Sequence, residues 1–233
     1  MELVSRQAIQ GYQRRWQWLI SRQIISKNAI VQTSLYIFVS TMPRSKSSSK
    51  PSARDRIMQA ASTLFYQEGT QNVGIDRIIA ESGVAKMSLY NHFKSKDALI
   101  AAWLQQRDAN WRAWFQETVE KQTQEPAERL LAMFDALEQW FSQPNFRGCA
   151  FINSSVELVD PEHPGYQVSI EHQQEIHDYI LQLVKAAEIN HPDAVAEQLL
   201  LLVEGAIVVA MMRRSPAAAA QAKAAAATLI QTA

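Results

Sequence analysis

The apolar residues of this chain recur three and four positions apart over long stretches. The clearest case is the apolar face made by Ile57, Ala60, Ala61, Leu64 and Phe65. Such spacing places apolar side chains on one side of a helix. Only 7 Gly and 8 Pro interrupt the 233 residues. The pattern predicts an all-α protein.

The N-terminal segment does not share this regularity. Residues 1–41 combine scattered basic residues with a short apolar patch, and Met42 is followed by a Ser-, Lys- and Pro-rich run. We therefore expect residues 1–51 to be a non-native or disordered N-terminal extension and basic arm, with Met42 as the natural start. A genuine additional helix in residues 1–41 is the alternative. No apolar run approaches the roughly 20 residues that span a bilayer, and we expect no membrane partner.

Charge is distributed unevenly although the net charge is zero. Residues 42–100 carry nine Arg and Lys against five Asp and Glu, whereas residues 101–233 carry nine against seventeen. A basic segment followed by an acidic one is typical of a head that meets phosphate and a body that does not. Solvated surface charge would give the same asymmetry, so the distribution alone leaves both interpretations open.

Three short helices are predicted within residues 52–100, with a tight turn at Gly83 between the second and the third. This is the spacing of a helix-turn-helix. Leu89 and Phe93 are expected to anchor the third helix inward, so that its polar residues face outward. Lys and Asn side chains can bind base edges, while Ser, Tyr and His reach phosphates. An ordinary surface turn of a helical bundle would share the spacing.

A resemblance in sequence favours the helix-turn-helix over an ordinary surface turn. Residues 74–99 read GIDRIIAESGVAKMSLYNHFKSKDAL, and this segment resembles the signature of the tetracycline-repressor family of transcriptional regulators. The resemblance implies an N-terminal three-helix helix-turn-helix head and, in residues 101–233, a helical ligand-binding and dimerisation body. It also implies contacts with double-stranded operator DNA through Lys86, Met87, Ser88, Tyr90, Asn91, His92 and Lys96. Gly74 departs from the pattern, because many members have Thr there.

The resemblance further implies a homodimer formed by the last two helices, here about Val195–Met212 and Pro216–Thr232. Small residues such as Gly205 and Ala210 would let these helices approach closely. An internal core helix is an alternative that does not exclude dimerisation.

The body is rich in aromatic residues, which would suit a small apolar or aromatic effector. Residues 147–157 also resemble the body of one subgroup of the family. The ligand-binding candidates are Trp111, Phe115, Phe134, Cys149, Asn153 and Glu157. Packing is the competing interpretation for the aromatic residues, and capping of a neighbouring helix for Asn153 and Glu157. Cys149 is either an inert buried thiol or a redox sensor.

Other functional classes find little support. The chain has no Gly-rich phosphate loop and no Gly-x-Ser-x-Gly motif, and its five His show no pairing at helical spacing. We expect no enzyme activity, cofactor or metal. A single Cys fits a reducing cytoplasm. The sequence thus predicts a DNA-binding repressor released by a ligand; the alternative is a constitutive DNA-binding protein whose body binds a protein partner.

Overall fold

The computed structural model describes residues 51–233, so the predicted N-terminal extension and most of the basic arm lie outside the described residues. Within that range the chain forms nine α-helices and no strand, which confirms the all-α prediction. The helices are α1 Ala53–Glu68, α2 Ile75–Ser82, α3 Lys86–His92, α4 Lys96–Glu120, α5 Pro126–Phe141, α6 Ala150–Leu158, α7 Pro164–Ala186, α8 Pro192–Arg213 and α9 Ala217–Thr232.

Local signals set most of these boundaries. The Ser52 hydroxyl accepts a hydrogen bond from the Asp55 N–H, and the Asp55 carboxylate accepts one from the Ser52 N–H, which completes a capping box at α1. The Ser95 hydroxyl caps α4 by accepting a hydrogen bond from the Ala98 N–H, without a reciprocal bond. Proline at the first position begins α5, α7 and α8, where its missing N–H costs nothing.

The first three helices pack together as the predicted helix-turn-helix head. Ile57, Leu64, Ile78 and Leu89 are at most 5 % exposed and form its core. Gly83 adopts a left-handed conformation with φ of 62°, which other residues resist. This conformation ends α2 and redirects the chain into α3.

The remaining helices form the body around α7, which contacts α4, α5, α6 and α8. The helix pair α8 and α9 packs together, and α9 also lies against α5. α4 passes without interruption through residue 100, where the sequence predicted a domain boundary; the boundaries at residues 51 and 100 stay predictions.

One expectation about α8 needs correction. By length and composition alone, α8 is apolar enough to span a membrane, whereas the apolar pattern of the sequence predicted no run of this length. The helix carries the interrupting acidic residues Glu197 and Glu204. Its buried side packs on α7 and α9, as in the core helix of a bundle, and such helices also pass the length test.

Candidate nucleic-acid interface and effector-binding residues

Two buried side chains hold α3 against the head. Leu89 is fully buried and Phe93 is 4 % exposed, as the sequence predicted. Because these residues anchor one side of α3, the opposite side faces solvent. Its most exposed large apolar residue is Met87, at 71 %.

The structure places all seven predicted DNA contacts on α3 and the first residue of α4. The exposed members of this set are Lys86, Met87, Tyr90, Asn91 and His92, and the half-buried members are Ser88 and Lys96. A side chain must be exposed to solvent to enter a groove of DNA, and five of the seven side chains are exposed. Whether each residue contacts DNA stays a prediction.

Lys86 has a partner on α2. Its Nζ lies 3.2 Å from Asp76 Oδ1, and both side chains are largely exposed. An exposed ion pair of this kind contributes about 0–1 kcal/mol. The pair therefore orients Lys86 without preventing it from exchanging Asp76 for a base or a phosphate.

Sequence reasoning missed Arg56, which fixes the turn between α2 and α3. Its Nη1 donates to the carbonyl oxygens of Ser82 at 3.3 Å and Gly83 at 3.2 Å. These two carbonyls end α2, so a guanidinium from α1 satisfies acceptors that the helix leaves free. The partners lie 26 and 27 positions away, and no local motif signals such a contact.

Lys96 lies in the first turn of α4. The free N–H groups and the helix dipole make this end of a helix attractive to anions. Lys96 adds a full positive charge at the same place. The arrangement suits a phosphate rather than a base edge.

The aromatic ligand candidates form a packed cluster in the body. Trp111 stacks on Phe115 with ring centroids 4.7 Å apart, and Trp140 meets Trp111 edge-on at 5.3 Å. Phe134 is fully buried. The buried Nε1 of Trp111 and hydroxyl of Tyr179 have no hydrogen-bond partner among the described residues. The rings thus pack against one another between α4, α5 and α7, but two polar atoms there have no partner among the described residues.

The candidates from residues 147–157 lie elsewhere and have structural partners. Asn153 Nδ2 donates to the Arg147 carbonyl at 3.1 Å. Glu157 Oε2 accepts from the Thr70 N–H at 2.5 Å, the Thr70 hydroxyl at 2.6 Å and the Gln71 N–H at 3.2 Å. Glu157 therefore ties α6 to the loop that follows α1; it binds groups of this loop and not the end of a neighbouring helix.

Cys149 is buried at the start of α6. Burial raises the pKa of its thiol to about 12. Because the thiolate is the reactive form, this environment favours an inert cysteine over a redox sensor.

A charged network that the sequence did not reveal connects α4 with α7. His172 Nδ1 lies 2.7 Å from Asp108 Oδ1, and Arg112 binds both oxygens of Asp108 at 2.8 Å. Hydrogen bonds from His172 and Arg112 outweigh burial and lower the pKa of Asp108 to about 2. Burial lowers the pKa of His172 despite Asp108, so the imidazole is neutral at pH 7.

A small cleft of about 110 Å³ opens where the end of α1, α4 and α6 meet. It lies at Glu157 and Asn153 and apart from the aromatic cluster around Trp111. Its lining residues are Phe65, Tyr66, Glu68, Gly69, Trp103, Arg147, Ala150, Asn153, Ser154 and Glu157.

Comparison with known proteins agrees with this geometry. The family described as bacterial regulatory proteins, tetR family, matches residues 57–103, and the tetracyclin repressor-like C-terminal domain matches residues 126–226. The crystal structure of SCO4454, a TetR-family transcriptional regulator from Streptomyces coelicolor, is 30 % identical, with a TM-score of 0.72 over 77 % of this chain and 95 % of that one. This chain belongs to the TetR family. It is a DNA-binding transcriptional regulator.

Curated relatives of this TetR-family chain are regulators too. The HTH-type transcriptional regulator YjdC of Escherichia coli is 23 % identical over 148 residues, which cover 64 % of this chain and 78 % of YjdC. The HTH-type transcriptional repressor DhaR of Mycobacterium sp. strain GP1 is 30 % identical over 105 residues, which cover 45 % of this chain and 52 % of DhaR.

Proposed function

We propose that this protein is a homodimeric repressor that binds operator DNA and is released by a small apolar or aromatic effector. The observation that carries the DNA-binding part is the solvent-facing side of α3, whose opposite side is fixed by Leu89 and Phe93. A rigid, anchored helix can present side chains to base edges at a defined depth in the major groove.

The residue types suggest a division of labour. Lys86 donates to guanine or Asn91 pairs with adenine, and these contacts specify sequence. Met87 lies beside them in the groove. The phosphate contacts, which position the head, come from Ser88, Tyr90, His92 and Lys96.

Homodimer formation through α8 and α9 is supported by the exposed apolar surface of α8. Leu201 is 70 % and Met212 75 % exposed, and Gly205 lies between them. A Cβ at Gly205 would meet no atom within 4 Å, so the surface beside this glycine is open. A two-fold dimer would set two copies of α3 on half-sites about one helical turn apart.

Effector binding is proposed for the aromatic cluster around Trp111, Phe115 and Phe134. The unpartnered Trp111 Nε1 and Tyr179 hydroxyl support this placement, because buried polar atoms normally have a partner and a ligand would supply one. Binding there would favour a spacing of the two heads that no longer fits the operator. The repressor role is supported by relatives named repressors, DhaR and NemR of Escherichia coli, and its place of action would be the cytoplasm.

Footprinting on the region upstream of the protein's own gene tests the proposal. At moderate salt we expect two protected half-sites in phase on the duplex, and protection lost when an apolar or aromatic effector is added. Absence of a specific complex at moderate salt would contradict operator binding. A footprint that no compound of a broad aromatic panel abolishes would contradict release by such an effector.

A further inference from the structure

The loop between α6 and α7 reaches the first turn of α4. His163, the N-cap of α7, accepts a hydrogen bond at Nδ1 from the Gly165 N–H at 3.0 Å. An imidazole nitrogen that accepts carries no proton, so the proton of this ring lies on Nε2. Nε2 lies 3.3 Å from Oδ1 of Asp97, which is in the first turn of α4. One imidazole therefore caps α7 and presents an N–H to the start of α4.

The imidazole is held more firmly than the carboxylate that it faces. The His163 side chain is 13 % exposed and hydrogen-bonded to its own helix, whereas the Asp97 side chain is 58 % exposed. Asp97 pairs with no other charged group of the chain between residues 51 and 233. Ordering a side chain costs conformational entropy, and His163 is already ordered by packing and capping. The imidazole is therefore a fixed point of the body, to which the first turn of α4 is tied.

The backbone of α7 also meets α4 beside this contact. A Cβ at Gly165 would lie 2.9 Å from Ile100 Cγ2 and 3.0 Å from Leu158 Cδ1, closer than carbon atoms normally pack. Ile100 is 1 % exposed, and a β-branched side chain in a helix has one strongly preferred rotamer. The start of α7 thus blocks the movement of α4 toward it, one turn after the residue that His163 contacts.

Lys96, the neighbour of Asp97, is the proposed phosphate contact. The first four N–H groups of a helix have no partner in their own helix, so the first turn is held by fewer bonds than later turns. Hydrogen bonds weaken steeply once donor and acceptor lose their geometry, so the affinity for DNA depends on where this turn is held. A contact from the body at Asp97 therefore bears on the position of Lys96.

We propose that His163 is a positioning residue for operator binding: through Asp97 it holds the first turn of α4 so that Lys96 meets its phosphate. The two ring nitrogens have separate roles, since Nδ1 stabilises α7 and Nε2 positions α4. This role rests on the proposed function, because it requires the contact of Lys96 with DNA. It adds to that function a residue of the body that does not touch DNA.

Two substitutions separate the roles of the ring nitrogens. Asn places an acceptor oxygen at the position of Nδ1 and is a good N-cap, but it has no atom at the position of Nε2. We expect His163→Asn to melt like the wild type and to bind the operator about two- to fivefold more weakly, the range for one partly exposed polar or charged pair. Gln reaches the position of Nε2 with an N–H but has no acceptor at Nδ1. His163→Gln should bind the operator like the wild type and melt about 2–4 °C lower because the cap is lost.

A double substitution shows whether the loss acts through Lys96. The lower affinity of His163→Asn should be the same for every operator variant, and the salt dependence should fall as it does in Lys96→Ala. When Lys96→Ala is already present, His163→Asn should cause no further loss, because the phosphate contact is gone. A loss that adds in full to that of Lys96→Ala would contradict the positioning of Lys96.

His191→Asn is the matched control. His191 also precedes a proline and is the N-cap of a helix, α8, but its side chain forms no capping hydrogen bond and is exposed. Its backbone is left-handed, a conformation that Asn tolerates. This variant should bind the operator and melt like the wild type.

Hydrogen exchange of the full chain without DNA gives a second readout. The Ala98 N–H is bonded to Ser95 Oγ and the Leu99 N–H to the Ser95 carbonyl, so both amides report on the first turn of α4. We expect both to exchange faster in His163→Asn and at the wild-type rate in His163→Gln.

The outcomes distinguish this role from the proposed function. If Lys96→Ala binds the operator like the wild type, the phosphate contact is wrong, and hydrogen exchange still decides whether His163 holds the first turn of α4. Unchanged exchange and affinity in His163→Asn would overturn the positioning role. Equal losses of affinity in His163→Asn and His163→Gln would also overturn it, because the effect would then not depend on Nε2.

Discussion

Individual residues of α3 are expected to differ in what they contribute to operator binding. Lys86 and Asn91 carry groups that can bind base edges, whereas Lys96 lies at a helix N-terminus that attracts phosphate. Substitutions should therefore separate sequence selection from general affinity.

We predict that Lys86→Ala or Asn91→Ala, whichever side chain meets a base, weakens binding by about 1–3 kcal/mol and relaxes specificity at one operator position. Lys96→Ala should weaken binding to all sequences alike and reduce the salt dependence by about one counterion. Titrations against a set of single-base operator variants at several salt concentrations measure both effects. A changed operator preference in Lys96→Ala would contradict its assignment to phosphate.

Arg56 is predicted to act through the turn rather than through DNA. Arg56→Met removes the hydrogen bonds to the Ser82 and Gly83 carbonyls, which should lower the stability of the head by about 1–2 kcal/mol. It should also weaken binding to every operator variant by the same factor. Arg77→Met is a suitable control, since it removes only an exposed ion pair with Glu68.

At the scale of the elements, the contacts between helices decide what the sequence could and could not reveal. The capping box at Ser52, the turn at Gly83 and the start of α5 at Pro126 were predictable, because each depends on neighbours within a few residues. The contacts of Arg56 with Gly83, of Glu157 with Thr70 and of His172 with Asp108 join residues 27, 87 and 64 positions apart. No periodicity encodes such pairs, so this part of the site required the structure.

The contact of Asp108 on α4 with His172 on α7 should make the stability of the protein depend on pH in the acidic range. The pKa of Asp108 is lowered from its usual 3.8 to about 2, so the ionised carboxylate stabilises the fold above pH 3.8, and this contribution is lost as the pH falls toward 2. Asp108→Asn should destabilise the protein at pH 7 by about 1.5–3 kcal/mol, the range for hydrogen bonds to a charged group. Denaturant unfolding at pH 7 and at pH 3 measures the difference, which should shrink at the lower pH; an equal loss at both would contradict the assignment.

The dimeric state of the whole molecule is expected to depend on the exposed surface of α8. Leu201→Glu places a charge in the proposed interface, and we predict that it converts the dimer to a monomer and weakens operator binding by at least about 1.4 kcal/mol, or tenfold. Val156→Glu is the matched control, because Val156 is 74 % exposed on α6, outside α8 and α9. Sedimentation velocity distinguishes the two variants. If the Leu201→Glu protein were still a dimer, the interface would have to lie on another surface.

The unbroken course of α4 from the head into the body has a mechanical consequence. With 25 residues, it is a stiff lever about 37 Å long at about 1.5 Å per residue. Tilting such a lever by about 5° about its far end displaces Lys96 by about 3 Å, close to the spacing of successive base pairs. A tilt that moves the helix at Trp111 by only about 1 Å can therefore move Lys96, near its other end, by about one base-pair spacing.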